Sequence, residues 1–303
     1  MNLNRNKSGS VLIITLLITA LFVAILVEFA YGVFVKTNVL YNFKDGQNLS
    51  LIADSGINLA GGYIKDYLSS NKYTTYASYV IPVAKISGSS GEALIISIFD
   101  ENSKFNINTI INENGTTNDK ALSTFKRLLK AVNLNENIAL YIADWIDKDG
   151  TERISTSEGQ PNSNTQPKNN YFYSVDELLN IPQISAYDYK KLLRYVTVYG
   201  DGLININTAS KEVLIALDEE ITSSTAKKII EYREKTTPFK ATSDIQSVAT
   251  MSDKGAKIMG KITVKSSAFL ITSVAVLRGI QREIHCATLY TGTSEQVKYW
   301  KEF

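Results

Sequence analysis

Cysteine and histidine are almost absent from the sequence, which limits the chemistry that it can carry. Of its 303 residues, one is cysteine, Cys286, and one is histidine, His285. A single cysteine excludes a disulfide within the chain, and the two residues leave little material for a zinc site or for histidine acid–base chemistry. Both lie in the alternating segment QREIHCATLY, which predicts a β-strand. No nucleophile–base pair or phosphate-binding loop accompanies them, so we predict that the protein is not an enzyme.

A strong excess of charge of either sign is also lacking. The chain has 32 Lys and Arg residues against 30 Asp and Glu residues, a formal net charge of +2. Long-range attraction to a phosphate backbone requires a larger basic excess, so no nucleic acid partner is expected. The length leaves room for two compact domains in addition to a membrane anchor.

The N-terminus carries a long apolar segment. Residues 8–27 contain no charged side chain, and the apolar character resumes after Glu28 and ends at Lys36. A bilayer needs about 20 such residues, so the segment predicts one membrane-spanning helix. Arg5 and Lys7 precede it, and by the positive-inside rule the soluble part lies in the periplasm, anchored in the inner membrane. A cleaved secretory signal fits poorly, because the run is too long and lacks an A-x-A-like site.

The basic stretch, Gly9 and the apolar helix together resemble a type IV prepilin leader, which a dedicated peptidase cuts after the glycine. The resemblance implies a leader over residues 1–9, prepilin peptidase cleavage, a mature chain that begins at Ser10, and methylation of that new terminus. Most such pilins have glutamate at the fifth mature position, which here is Ile14. This difference resembles the minor pseudopilin K subclass of type II secretion, whose members are thought to lie at the filament tip. An uncleaved signal anchor is the alternative.

Beyond the membrane segment, apolar residues recur at steps of three and four. They predict that one helix continues over residues 10–68. Several glycines dilute its helix propensity. They are compatible with a bend or an end of the helix near 61–62, or with a small-residue face that packs closely on a sheet. The apolar face comprises Leu49, Ile52, Ala53, Gly56, Ala60, Tyr63, Ile64 and Tyr67.

Strand patterns lie on both sides of a helical region. A Ser/Gly/Tyr-rich connection over residues 69–92 leads to ALIISIFDENSKFNINT, which predicts two strands joined by a tight turn at 101–103. From Lys261 onward the chain returns to alternating apolar residues. Three further strands are predicted there, in KITVKS, AFLITSVAVL and REIHCATLYTG.

These patterns predict an α+β protein in which the long N-terminal helix packs on one antiparallel sheet. The sheet is expected from residues 69–109 and 259–303, because the strands near its start are the natural partners of those at the C-terminus. A mostly helical domain over residues 110–258 is inserted between them. Such a helix on a sheet is a pilin-like arrangement.

The inserted domain contains two notable patterns. Ser174 and Glu177 have the spacing of a capping box at the start of SVDELLN. INTASKEVL and AKKIIEYR resemble a helix–hairpin–helix repeat, a unit that in many proteins contacts the DNA backbone. The hairpin here has no glycine and carries three acids in ALDEEITSST, so we interpret the unit as a packing module with its basic residues, Arg233 among them, on a solvated face. A membrane-anchored DNA receptor of the competence type is the alternative function.

Four segments in order resemble the pseudopilin K family: DENSKFNIN, IADWIDKDGTER, PKNNYFYSVDELLNI and LININTASKEVL. The resemblance implies a pilin-like fold whose helical insert contains helix–hairpin–helix-like (SAM-like) units. It implies a minor pseudopilin at the tip of the type II secretion pseudopilus, which initiates or caps assembly for export across the outer membrane. The implied partners are the I-type and J-type minor pseudopilins, the major pseudopilin, prepilin peptidase and the inner membrane.

The family also binds calcium in its helical domain, and this sequence offers suitable ligands. Asp144 and Asp147 lie three residues apart on one predicted helix face, and Asp147, Asp149 and Glu158 have the spacing of positions 1, 3 and 12 of a calcium loop. The loop departs from an EF-hand, because its glycine is at position 4 rather than 6. The resemblance adds Asn169 as a further ligand. We therefore predict a structural calcium ion, with solvated surface acids as the alternative.

Overall fold

The computed structural model describes residues 5–84, 92–148, 153, 167–292 and 294–303. It opens with α1 (Arg5–Ser70), a helix of 66 residues. At 1.5 Å per residue this helix is about 100 Å long. From Gly9 onward it is long and apolar enough to cross a membrane, and none of its most apolar stretch is buried among the described residues.

The second half of α1 packs on a sheet through one buried face. The helix runs unbroken past 61–62 to Ser70, so of the two alternatives for its glycines, the small-residue face is correct. A Cβ atom at Gly56 would lie 2.2 Å from Ser273 Oγ, a distance that only glycine allows. A Cβ atom at Gly61 would lie 3.1 Å from Glu295 Oε1, a tight contact with the end of a flexible side chain. The buried side chains of this face are Leu49, Ala53, Ile57, Ala60, Ile64 and Leu68.

The strands of the described residues form one large sheet and two short parallel pairs. In chain order the strands are β1 (Ser78–Ala84), β2 (Glu92–Asp100), β3 (Phe105–Asn106), β4 (Val196–Thr197), β5 (Ile204–Asn205), β6 (Ile262–Thr263), β7 (Ala268–Leu277), β8 (Ile280–Thr291) and β9 (Ser294–Glu302). Five of them form the antiparallel sheet in the order β1-β2-β7-β8-β9, while β3 pairs with β4 and β5 pairs with β6.

Parts of the strand prediction were wrong. The turn at Glu101–Ser103 is a short 3₁₀ helix, and β3 after it pairs with the distant β4 rather than folding back on β2. The strand expected in KITVKS, β6, pairs with β5 instead of joining the large sheet. Both outer strands, β1 and β9, were not predicted, because an edge strand with many exposed side chains lacks a clear alternation of apolar and polar residues.

The remaining helices lie between β3 and β7. The capping box of Ser174 and Glu177 is confirmed, although the helix that it starts, Val175–Asn180, is 3₁₀ rather than α. The α-helices are α2 (Asp119–Ala131), α3 (Ile138–Ile146), α4 (Ala186–Leu192), α5 (Lys211–Ala216), α6 (Ser223–Lys235) and α7 (Gly255–Ile258).

Two separate hydrophobic cores stabilise the molecule. One lies between α1 and the large sheet and includes Leu49, Ile96 and Ile271. The other is larger and extends from Phe105 to Ile262, and we call the part of the chain that shares it the helical body. The predicted α+β fold, with a long N-terminal helix on an antiparallel sheet, is therefore confirmed.

Candidate functional site

The helical body is attached at the C-terminal end of α1. Lys265 Nζ donates a 2.6 Å hydrogen bond to the carbonyl of Leu68, in the last turn of that helix. Thr74, just after the helix, donates its backbone N–H to the carbonyl of Val264 at 2.9 Å. The body thus lies at the end of the helix that is farthest from the apolar N-terminal segment.

Asn102 connects the helical body to the large sheet. Its side-chain oxygen accepts hydrogen bonds from the backbone N–H groups of Ser267 and Ala268, each at 2.9 Å. Its side-chain nitrogen donates to the carbonyl of Leu203 at 2.9 Å. The residue is buried, so these bonds fix the route of three chain segments where the two cores meet.

Asp100, at the end of β2, is a buried carboxylate in the same junction. It accepts a 2.5 Å hydrogen bond from the hydroxyl of Thr208 and a 2.9 Å bond from the backbone N–H of Asn102. Burial raises the pKa of Asp100 to about 6, although these hydrogen bonds lower it. Sequence analysis interpreted this segment only as a turn and missed the junction, because its partners are about a hundred residues away.

The first two predicted calcium ligands come together at the end of α3. Asp144 lies in the last turn of the helix and Asp147 is its C-cap, and both side chains are fully buried. Two carboxylates without solvent are costly unless a cation or hydrogen-bond donors compensate for them. The pair is therefore suited to hold positive charge.

Arg153 supplies a positive charge in this structure. Its Nη1 contacts Asp144 Oδ1 at 2.5 Å and also binds the carboxylate of Asp147, and its Nη2 donates to Thr117 Oγ1 at 2.5 Å. Burial lowers the pKa of Arg153, but the hydrogen bonds and charges of the two carboxylates raise it more, and its net pKa is above the ordinary value.

The other predicted ligands differ in their placement. Asn169 lies beside the end of α3, where its backbone N–H donates to the carbonyl of Trp145 at 3.0 Å, and its side chain is exposed. Asp149 and Glu158 lie outside the described residues. Within the described part of the chain, no three His, Cys, Asp or Glu side chains form a metal cluster.

The predicted processing site lies near the start of α1. Gly9 and Ser10 are both exposed, and a Cβ at Gly9 would meet no described atom within 4 Å apart from the adjoining backbone of its own helix. Ile14, at the position where most pilins have glutamate, is also exposed. Both residues of the predicted cleavage site are therefore accessible in the described structure.

The region that resembles a helix–hairpin–helix unit comprises α5, α6 and the acidic loop between them. Glu220 of this loop forms ion pairs with Lys254 and Lys257. The prediction for Arg233 was wrong, because its guanidinium donates to the carbonyls of Ile206 and Ala209 and is not on a solvated face. Burial lowers the pKa of Arg233.

Comparisons with known proteins agree on one family. Two family models, both described as type II secretion system protein K, match residues 103–201 and 204–265, which together make up more than half of the chain. A comparison with curated protein sequences found no match.

Solved structures support the fold. A chain in the crystal structure of the GspK-GspI-GspJ complex from the type 2 secretion system of enterotoxigenic Escherichia coli superimposes with a TM-score of 0.69. The alignment covers 88% of this chain and 99% of that one, at 16% sequence identity. The family models and the shared fold lead to one conclusion: this chain belongs to the protein K family of the type II secretion system.

Proposed function

We propose that the protein is a minor pseudopilin at the tip of the type II secretion pseudopilus, where it initiates or caps assembly. The observation that carries the proposal is the position of the helical body at the far end of α1. Subunits of such a filament stack through their N-terminal helices, and a body of this size beyond the helix end would obstruct a further subunit above it. The role needs no catalysis.

The N-terminal segment supports the same position. A carboxylate at the depth of Ile14 in the membrane costs several kcal/mol unless a neighbouring subunit supplies a partner. A tip subunit has no subunit above it to supply that partner, so an apolar residue is favourable there. The apolar run of α1 then anchors the chain in the inner membrane, with the sheet and the helical body in the periplasm.

The proposed partners are the I-type and J-type minor pseudopilins and the major pseudopilin, with prepilin peptidase acting on the leader. GspI and GspJ accompany GspK in the enterotoxigenic E. coli complex. Nucleic acid is not a proposed partner, because Asp218, Glu219 and Glu220 surround the hairpin where a DNA-binding unit presents backbone amides to phosphate.

Site-specific labelling tests the tip position. Cys286 is fully buried, so a single cysteine introduced at the exposed Lys190 of α4 can be labelled selectively with gold on intact filaments. We expect one label per filament, at one end, in a strain whose secretion the K190C variant restores. The wild-type chain is the control for labelling of Cys286. Labels along the filament length would contradict the tip position.

We also propose that a calcium ion stabilises the helical body at the end of α3. The donor set fits this ion, because Asp144 and Asp147 provide hard oxygen ligands without solvent. Asn169 lies near them, because its backbone N–H donates to the carbonyl of Trp145, which follows Asp144 in the chain. Asp149 and Glu158 complete the proposed ligand set. When bound, calcium would supply the positive charge that orders this acidic region.

Calorimetry and thermal unfolding test the calcium proposal. For the metal-stripped full chain in detergent, calcium at 100 times its Kd is expected to stabilise the fold by about 2.7 kcal/mol. Asp144→Asn should abolish the heat of binding and the rise in melting temperature, while Asp253→Asn, at an exposed site, should preserve both. No heat and no thermal shift with millimolar calcium would refute the proposal without affecting the assembly role.

A further inference from the structure

Arg233, in α6, is a mostly buried cation whose hydrogen-bonding capacity is only partly used. Its Nη1 donates to the carbonyls of Ile206 and Ala209 at 2.8 and 2.9 Å. Among the described residues, its Nε and Nη2 have no hydrogen-bond partner, and no carboxylate forms an ion pair with it. A charge removed from water is costly unless an opposite charge or hydrogen bonds compensate for it. One edge of this guanidinium is therefore available to a ligand.

A pocket of about 190 Å³ lies beside Arg233. One group of the size of a water molecule needs about 10–15 Å³, so the pocket has room for a carboxylate with a short stem. It lies between the segment that follows α1 and the helical body. Most of the side chains in its other walls are polar: Thr75, Ala77, Asn207, Thr208, Glu234 and Pro238. The hydroxyl of Thr75 has no hydrogen-bond partner in the described part of the chain.

The unused donors of Arg233 are suited to a carboxylate. Nε and Nη2 form one edge of the planar guanidinium, and their N–H bonds on that edge are parallel. The two oxygens of a carboxylate can accept both bonds at once, in a bidentate pair. Hydrogen bonds between charged groups of this kind are stronger than those between neutral groups.

Glu234 limits the charge that the pocket favours. Burial lowers the pKa of Arg233, and the charge of Glu234 raises it. Because Arg233 and Glu234 both line the pocket, their charges offset each other for a ligand that carries a second negative charge. Removing a dianion from water also costs more than removing a monoanion. The pocket is therefore better matched to a monocarboxylate than to a sulfate or phosphate ion.

We propose that Arg233 and Thr75 form a binding site for a monocarboxylate, with Nε and Nη2 of the guanidinium and the Thr75 hydroxyl as its donors. A ligand held by both residues bridges the segment after α1 and the helical body, and it stiffens their connection. A small carboxylic acid and the side chain of an aspartate in another protein present the same group. The site does not depend on the proposed position at the filament tip.

NMR of the full chain in lipid nanodiscs, with isotope-labelled arginine, tests the proposal. The reporter is the Nε–H signal of Arg233, and that of Arg127 is the internal reference, because its Nε already donates to the carbonyl of Ala216 at 2.9 Å. The probe is acetate, and the comparator is acetamide, which has a similar shape without the charge. We expect acetate to shift the Arg233 signal saturably, with about ten times the affinity of acetamide, and to leave Arg127 unchanged.

A capped amino acid distinguishes the two sources of the carboxylate. Nα-acetyl-aspartate methylamide presents the group as a protein does. Tighter binding of this compound than of acetate would support the site and identify a protein side chain as the ligand, whereas weaker binding would support the site and identify a small molecule.

Substitutions test the donors and the charge limit separately. Glu234→Gln should tighten acetate binding about fivefold and sulfate binding by a larger factor, because sulfate carries two charges. Glu231→Gln, at an exposed acid of α6 outside the pocket, is the matched control and should change neither affinity. Thr75→Val should weaken acetate binding about fivefold. Equal affinities for acetate and acetamide, equal shifts at Arg127 and Arg233, or equal effects of the two Glu→Gln variants would overturn the proposal.

Discussion

Thr208 donates a 2.5 Å hydrogen bond to Asp100 across 108 positions of the sequence. The bond joins the end of β2 to the segment that follows β5, and Asn205, the last residue of β5, donates to the same carboxylate oxygen at 3.3 Å. The sheet and the helical body therefore meet around a buried acid. The protonation of Asp100 is consequently linked to the stability of both the sheet and the helical body.

The first prediction concerns this linkage. The pKa of Asp100 is about 6 in the folded chain against 3.8 for a free aspartate, so the folded state holds the proton more tightly. The contribution of this group to the free energy of unfolding grows as the pH falls through 6 and is complete below 3.8. A shift of this size corresponds to about 3 kcal/mol.

Asp100→Asn removes the titrating group. The difference in stability between the wild type and the variant therefore reports the protonation of Asp100 separately from that of the other carboxylates. Thermal unfolding of both chains in detergent between pH 4.5 and 7.5 should show the wild type gaining stability relative to the variant as the pH falls. A constant difference across that range would mean that Asp100 does not titrate in the folded chain.

The second prediction concerns the contact between α1 and β7. Gly56→Ala places a methyl group 2.2 Å from Ser273 Oγ, and such overpacking costs about 1–3 kcal/mol. Gly62→Ala is the matched control, because its added methyl group would meet no described atom within 4 Å apart from the adjoining backbone of its own helix. That variant should be more stable than wild type by about 0.5–1 kcal/mol through helix propensity. Thermal unfolding of the two variants measures the contrast.

Combining Gly56→Ala with Ser273→Ala tests whether the contact with Ser273 Oγ causes the loss of stability. Ser273→Ala removes the clashing hydroxyl and leaves Ser273 Cβ at 3.3 Å as the next contact on that side chain. It should restore part of the stability lost in Gly56→Ala. If Gly56→Ala and Gly62→Ala proved equally stable, the close approach of helix and sheet would be wrong.

The third prediction concerns Asn102. Asn102→Ala leaves the buried N–H groups of Ser267 and Ala268 without their acceptor, and each unsatisfied group costs about 1–3 kcal/mol. We expect a lower melting temperature and faster proteolysis where the sheet meets the helical body. Asn58→Ala, on the exposed face of α1, is the control and should match wild type. Equal proteolysis of the two variants would argue against this role for Asn102.

The elements that sequence predicted well have a strong local period. Helix α2 and the central strands β7 and β8 repeat or alternate clearly, because one face of each is buried. The anchor run is recognised instead by its length without a charged residue. Strand β9 has almost only exposed side chains and therefore carries no such period. The pairing of β3 with β4 depends on two residues at each strand and on contacts about 90 positions apart, which no local pattern contains.

The candidate site divides in the same way. Asp144 and Asp147 could be paired from sequence, because a spacing of three brings them to one helix face. The sequence does not reveal that Arg153 binds both acids. It also does not reveal the contacts of Asp100, because its partners Asn205 and Thr208 are remote in the chain. A charged residue in a polar loop gives no sign of the acid that it will contact. Long-range pairing of buried polar groups is set by the tertiary fold.

The last prediction concerns the amino terminus. If the chain is a pseudopilin, prepilin peptidase cuts after Gly9, and the mature protein begins at a methylated Ser10. Mass spectrometry of the protein from membranes with and without the peptidase should show this terminus only when the enzyme is present. Gly9→Leu should block the cut, because a bulky side chain would stand at the cleaved bond, while Gly32→Ala, at an equally open position of α1, should not. An intact Met1 in both membranes would instead indicate a permanently anchored protein, and the proposed filament role would then fail.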